Sequence, residues 1–308
     1  MAFNLTALPA YTDQLSTDLI SEALLKSFST DFLTIEAGKT AGTSTINTLN
    51  STVDIIDATC GFGAGQVGTN ATVFAQIPLV VGSKMLKEIM CPDDLRSKWT
   101  SSQLGAGAQQ ESVPFAELIA TNKMNNIAKY VENTIWQGDG ATLTGLLEQT
   151  KVAAGATLSG GSYAQWTSAT AIAQFWLTVG KLTPALQTED DLILYTSYAN
   201  YQALVANLIN TGASVIGQFA QVSNSAGVNA PSTFVFPGTN ITVYAAPGIN
   251  DPKRVILGPK KYAFFGTGLL DDMDTFKFYY NPADDVMNFN AKFRLGTAAY
   301  ASQFVSNL

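Results

Sequence analysis

PFAELIATNKMNNIAKYVENTIWQGDG, Pro114 to Gly140, is the stretch on which the rest of the chain can be hung. Phe115, Leu118, Ile119, Ile127, Tyr130, Val131 and Ile135 recur at helical spacing and make one apolar stripe. Ser112 stands where an N-cap belongs, and Gly138 where a helix stops. The pattern predicts a helix over Ser112 to Gln137, a rod of roughly 36 Å at 1.5 Å per residue. A stripe that long must lie on another layer.

Toward the C-terminus, a second helix is expected over Ser168 to Leu186, a buried strand over Leu192 to Tyr195 and a third helix over Tyr198 to Ile209. Short strands follow at Thr233 to Phe236, Ile241 to Ala245, Arg254 to Leu257, Thr275 to Tyr280 and Val286 to Leu295. Toward the N-terminus, residues 1 to 11 read as an extended arm and Thr12 to Phe28 as an amphipathic helix. Residues 37 to 72 are rich in Gly, Thr, Ser and Asn. Strand-like runs at Val53 to Thr59 and Val73 to Val81, joined by the glycine-rich Cys60 to Asn70, read as a long hairpin. So little local core means that it needs a neighbour to lie on. Ser83 to Trp99 reads as a short helix stopped by Pro92, and residues 100 to 111 as a linker. The fold class is α+β, long helices beside a largely antiparallel sheet.

Charged residues are only 13% of the 308, about half the usual share, while hydrophobic residues are 46%. A chain that hides surface against copies of itself needs fewer charges than a soluble monomer. From Leu192 to Asn250, 59 residues, there is no charge at all. Near a rotation axis each charge would face its own copies, a costly arrangement, so this run suits an axis-lining lobe. The net charge is −7 and no Lys/Arg cluster stands out, which argues against direct DNA readout. The first 70 residues carry seven acids against two bases, a local balance of −5. The N-terminus lacks the basic start and apolar core of a secretory leader, and no apolar run reaches membrane-spanning length. The two cysteines, Cys60 and Cys91, make no disulfide framework.

There is no histidine, which removes Ser-His-Asp and Cys-His catalysis and HExxH zinc sites. Gly63-Ala-Gly65-Gln-Val-Gly68 matches GxGxxG after a strand-like run and is the feature that would support a dinucleotide-dependent oxidoreductase. The last glycine should open a helix onto the pyrophosphate, yet Thr69 to Pro78 is rich in β-branched residues. Gly38-Lys39-Thr40 ends like a phosphate loop, but Leu33 stands where its first glycine should be. Asp271, Asp272 and Asp274, Asp284 and Asp285, and Glu189 to Asp191 read as exposed acidic turns rather than cation sites. Trp136, Trp166 and Trp176 read as core or subunit contacts. No catalytic, cofactor-binding or metal-binding residue is expected.

The chain resembles tailed-bacteriophage major capsid proteins of the Hong Kong 97 fold. Three segments carry the likeness. Pro114 to Gly140 looks like the family's spine helix and its Gly-Asp turn. KKYAFFGTGLLDDMDTFKFYYNPADD, Lys260 to Asp285, is similar to its strand, acidic turn and returning strand. VMNFNAKFRLGTAAYASQFVSNL, Val286 to Leu308, looks like its closing strand with an Arg-Leu-Gly turn. The resemblance implies an N-terminal arm (1–36), an extended hairpin loop (37–92), a peripheral domain with the spine helix (93–190), an axial domain (191–250) and a return to the peripheral domain (251–308). It implies pentamers and hexamers of an icosahedral shell, in a virion assembled in the host cytoplasm. It implies no enzyme activity. Expected partners are other copies, a portal and decoration proteins, with the genome enclosed without sequence-specific binding. A separate scaffolding protein is implied, since the chain has no room for a scaffolding segment of its own. Expected subunit contacts are Phe3, Leu5, Val53, Ile55, Phe62, Val73, Phe74, Ile216, Phe219 and Arg294. An encapsulin-like nanocompartment shell is the alternative on the same fold. A surface-layer or adhesin role would call for a leader peptide.

Overall fold

The computed structural model describes residues 28–52, 71–91, 113–151, 164–210, 233–268, 276–281, 283–284 and 286–307. The architecture is α+β, with one long helix and two sheets. Helix α1, Val113–Gln137, is the expected rod. It ends because Gly138 adopts φ +80°, where a Cβ would come within 2.3 Å of the Leu143 carbonyl oxygen.

The first sheet is built on two long strands. Strand β2, Gly42–Thr52, pairs antiparallel with β3, Ala71–Met90, and β3 pairs antiparallel with β10, Val286–Ala299. The order is completed by β8, Ala263–Thr267, beside the end of β10, and β1, Thr34–Glu36, parallel to β8. Strand β9, Phe276–Asn281, flanks the start of β10. Burial alternates along β10: Met287, Phe289, Ala291, Phe293 and Leu295 point into the core, the residues between them outward. Met124, Ile127, Val131 and Ile135 of α1 cover that inward face.

The second sheet runs β11, β7, β4, β6, β5. These are Val305–Ser306, Val255–Pro259, Leu192–Thr196, Thr242–Ala245 and Thr233–Val235. Helices α3, Ala171–Val179, and α5, Tyr198–Asn210, pack against it through Phe175, Leu204 and Leu208. Two short helices, α2 (Leu146–Gln149) and α4 (Pro184–Gln187), fill in between. A single core joins the sheets, with Ile193, Tyr195, Tyr244 and Ile256 of the second lying among Trp136 and Phe289 of the first layer.

Several expectations change. Ser83 to Met90 is strand, not helix, because Met90 to Ser83 pair residue for residue with Met287 to Arg294, and sheet pairing outweighs the helical spacing of four apolar residues. The hairpin's first described strand is Gly42–Thr52, upstream of the expected Val53 to Thr59, which lies outside the described residues. The helix expected over Ser168 to Leu186 is two helices, interrupted from Gly180 to Thr183 ahead of Pro184. There are two sheets where one was expected, each with one parallel pairing. Strand β8 falls on the first strand that the resemblance implied for Lys260 to Asp285; β1 was not anticipated. The expected N-terminal arm and most of its helix lie outside the described residues.

Candidate functional site: an unpartnered hairpin on a clasped body

Strand β3 is twenty residues long and belongs to two structures at once. Its second half is held in the sheet by β10 alone, whose pairing ends at Val80. From Leu79 back to Ala71 its partner is β2. Ile77 and Leu79 still rest on Phe264 and Ala298. Beyond Ile77 the two-stranded ribbon runs on with both faces open, about 20 Å at 3.3 Å per residue. Leu49 and Phe74 are directly paired across the strands on one face, and are 64% and 78% exposed. Val73, on the other face, is exposed as well. The rungs between are polar: Gln76 donates to Asn47 at 3.1 Å, and Ser51 and Thr72 approach at 3.4 Å. No charged residue occurs in Gly42–Thr52 or in Ala71 to Ser83. A two-stranded ribbon with apolar residues in water is marginal alone, so this geometry is that of a docking element.

The body that carries it is fastened around the C-terminal end of α1. At Ser29, in a 3₁₀ turn over Phe28–Phe32, the backbone nitrogen donates to Glu132 Oε2 at 3.1 Å and the hydroxyl to Oε1 at 2.5 Å. Trp136 Nε1 donates to the Ser29 hydroxyl at 2.7 Å, and Tyr244 Oη lies 3.1 Å from that same oxygen. Since the Ser29 proton is turned to Glu132, the Tyr244 phenol is the donor of this last bond. Burial first, and then the Glu132 charge, push that phenol up and keep its proton on. Phe32 stacks on Tyr244 with ring centroids 4.1 Å apart, and Tyr195 donates to the Phe32 carbonyl at 2.7 Å. Glu132 is thus a buried acid that accepts from Trp136 Nε1 at 3.1 Å, one turn on, and from Ser29, more than a hundred residues away.

Just past that same end, Asp139 follows the helix. Its carboxylate accepts the backbone N–H groups of Ala141, Thr142 and Leu143 at 2.9, 2.8 and 2.8 Å, the Thr142 hydroxyl at 2.9 Å, and an ion pair from Lys84 of β3. Burial pushes this carboxyl up, but Lys84 and the donors of Leu143, Ala141 and Thr142 outweigh it and hold it well below the usual carboxylate range. Glu88, also on β3, pairs with Lys123 of α1. Gly248 closes the gap to the second sheet; a Cβ there would sit 2.3 Å from the Glu132 carbonyl oxygen.

Of the expected contact residues, Val73 and Phe74 meet on the hairpin and Arg294 lies half-buried on β10, apart from them. Phe3, Leu5, Val53, Ile55, Phe62, Ile216 and Phe219 lie outside the described residues, as do Gly63 to Gly68, Asp271, Asp272 and Asp274. Lys261 binds the Glu189 to Asp191 turn, meeting the Glu189 carboxylate at 2.6 Å and donating its N–H to Asp191 at 3.0 Å. Trp136 and Trp166 are core; Trp176 is half-exposed against Phe236. The uncharged run from Leu192 to Asn250 is partly core too, since Leu192 to Ser197 and Val243 to Ala246 are buried. The clasp of Ser29, Glu132, Trp136 and Tyr244 had no signal in the sequence beyond an acid on the apolar side of α1. Among the described residues no helix is long and apolar enough to cross a membrane, and no cluster of His, Cys, Asp and Glu is placed to hold a metal.

No family model matches the chain, and no curated protein sequence does. Solved structures do match across nearly its whole length. The capsid of Myoviridae phage XM1 aligns with a TM-score of 0.54 at 10% identity, over 92% of each chain. A chain of Mycobacterium phage Bobi aligns at 0.53 and 14% identity, over 92% of this chain and 89% of that one. The capsid of an empty GTA particle with C5 symmetry aligns at 0.51 and 12% identity, over 90% and 88%. The chain has the fold of these phage and GTA capsid chains.

Proposed function

We propose that the chain is the major capsid protein of a tailed bacteriophage, a structural protein whose activity is self-assembly into a closed shell around a genome. The observation that carries this reading is the projecting, uncharged hairpin with Leu49, Phe74 and Val73 open to solvent, on a fold shared end to end with the XM1 capsid chain. In this reading α1 is the spine helix, β2 and β3 form the extended loop (37–92), and residues 1–36 are the arm. Residues 93–190 with 251–308 form the peripheral domain and 191–250 the axial domain, to which β7 and β11 add strands. Arm and hairpin bridge neighbouring copies, giving pentamers and hexamers. Contacts that are modest singly hold firmly when each subunit makes several. Of the other expected contacts, Phe3 and Leu5 fall in the arm, Val53, Ile55 and Phe62 in the hairpin segment, Ile216 and Phe219 in the axial segment and Arg294 on β10. Scaffolding, portal and decoration proteins are the expected partners, and the virion capsid, assembled in the host cytoplasm, the place of action.

The similarity to phage and GTA capsids favours this reading over an encapsulin-like compartment, and the oxidoreductase reading has nothing beyond its glycine motif. Negative-stain electron microscopy of the purified chain, with and without the other proteins of its source particle, tests it. Closed shells or rings of five and six are expected; a monomer under every condition, above all one that binds NAD, overturns it.

A further inference from the structure

Strands β3 and β10 have a second face, on which Met85, Lys87, Ile89 and Lys292 are exposed while Asn288 and Asn290 are half-buried. Alternation sends Leu86, Glu88 and Met90, with Met287 to Leu295, toward α1. The intervening residues point the other way: Met85, Lys87 and Ile89 of β3, Asn288, Asn290 and Lys292 of β10, and Tyr279 of β9, which pairs with Asn288. Met85 is 54% exposed, Ile89 71% and Tyr279 47%. On the covered face both charged residues of β3 are paired, Lys84 with Asp139 and Glu88 with Lys123. On the open face Lys87 and Lys292 are exposed, and among the described residues neither has an ion-pair partner. Register places Met85 opposite Lys292 and Lys87 opposite Asn290, with Lys277 opposite Asn290 on its other side. No acidic residue occupies the open face among the described positions. In a chain of net charge −7 this is a local reversal that no run of the sequence displays.

We propose that this open face of β3, β10 and β9 binds an acidic, apolar-faced segment of a partner protein. The apolar residues Met85, Ile89 and Tyr279 take its hydrophobic side, and Lys87 and Lys292 its carboxylates. Duplex DNA is the poorer fit, because a phosphate backbone gains nothing from Ile89 and Met85 at the centre of the contact. The chain's own hairpin is also a poorer fit, since its described residues are uncharged and leave both lysines unanswered. The face lies on the half of β3 beyond its pairing with β2, so occupancy can be read on the free chain whether or not shells form.

The test is fluorescence anisotropy on the full-length free chain with three probes: a labelled Leu/Glu amphipathic peptide, the same pattern in Leu/Lys, and a 30-base-pair duplex. The Leu/Glu peptide is expected to bind, the Leu/Lys peptide not. Lys87→Glu with Lys292→Glu should weaken binding at least about tenfold, and Ile89→Ser several-fold. The paired Lys→Gln variant, with its melting temperature measured alongside, separates lost binding from lost folding. Equal binding of the Leu/Lys peptide, tighter binding of the duplex, or indifference to Ile89→Ser overturns the proposal. So does loss of self-association in the Lys→Glu variant with peptide binding intact, which would give the face to a second copy.

Discussion

Trp136 donates its indole N–H to the hydroxyl of Ser29 at 2.7 Å, and the two residues are 107 positions apart. One end of the exchange is in the core; the other is in the 3₁₀ turn Phe28–Phe32. Ser29 satisfies Trp136, Tyr244 and both oxygens of Glu132 together. Ser29→Ala leaves Glu132 short of a donor in a buried site and should cost about 1–3 kcal/mol. Urea denaturation monitored by tryptophan fluorescence measures it, with faster proteolysis near residue 30 as the local sign.

Asp139 makes the stability acid-sensitive. Its folded-state pKa is depressed, so its contribution is fully present above the unfolded value near 4 and drains away as pH falls below it. Asp139→Asn should lower stability at pH 7 by about 2 kcal/mol, through lost charge-assisted bonds. It should also flatten the fall in stability between about pH 4 and 2. A pH series of denaturant midpoints shows both, and an unchanged slope counts against the assignment.

Gly248 lets the loop after β6 touch the backbone of α1. Gly248→Ala puts a methyl 2.3 Å from the Glu132 carbonyl oxygen and 2.6 Å from Trp136 Cδ1, so helix and loop must part. A loss of about 2–3 kcal/mol is expected by calorimetry. Gly238→Ala, in open space but at φ +76°, should cost less.

Leu49 and Phe74 should separate folding from assembly. Leu49→Ser with Phe74→Ser removes apolar groups already in water, so the free chain's stability should move by no more than about 0.5 kcal/mol. Shell yield by light scattering and microscopy should fall sharply. Normal shells from the double variant would remove the hairpin from the assembly contacts.

What could be read in advance follows how local each cause is. Helix α1 is legible because its stripe, its start and Gly138 lie within a single run. The buried strand at Leu192 is legible because it is short, apolar and bounded. Ser83 to Met90 misleads because its helical spacing is local, whereas the force that decides its conformation is pairing with Met287 to Arg294, two hundred residues away. Strand β8 was expected only through the resemblance and not from its own pattern, because Ala263 to Thr267 is buried on both faces and shows no alternation. The open cationic face has the same origin: Lys87 and Lys292 meet only through register. Similarly, Ser29 and Glu132 announce nothing singly, since a buried carboxylate is legible only beside its donors.

Because β3 passes without a break from the body sheet into the free ribbon, the hairpin is a stiff cantilever and not a tether. A load on Phe74 is carried as bending and torque along one length of backbone to Lys84 and Glu88, and through their ion pairs to Asp139, just past the end of α1, and to Lys123 in its middle. In the proposed assembly, the angle at which one copy reaches another is then set by the twist of the body sheet. Curvature over many copies would be an elastic property of that strand, and a change in its twist would alter the radius of whatever the copies enclose.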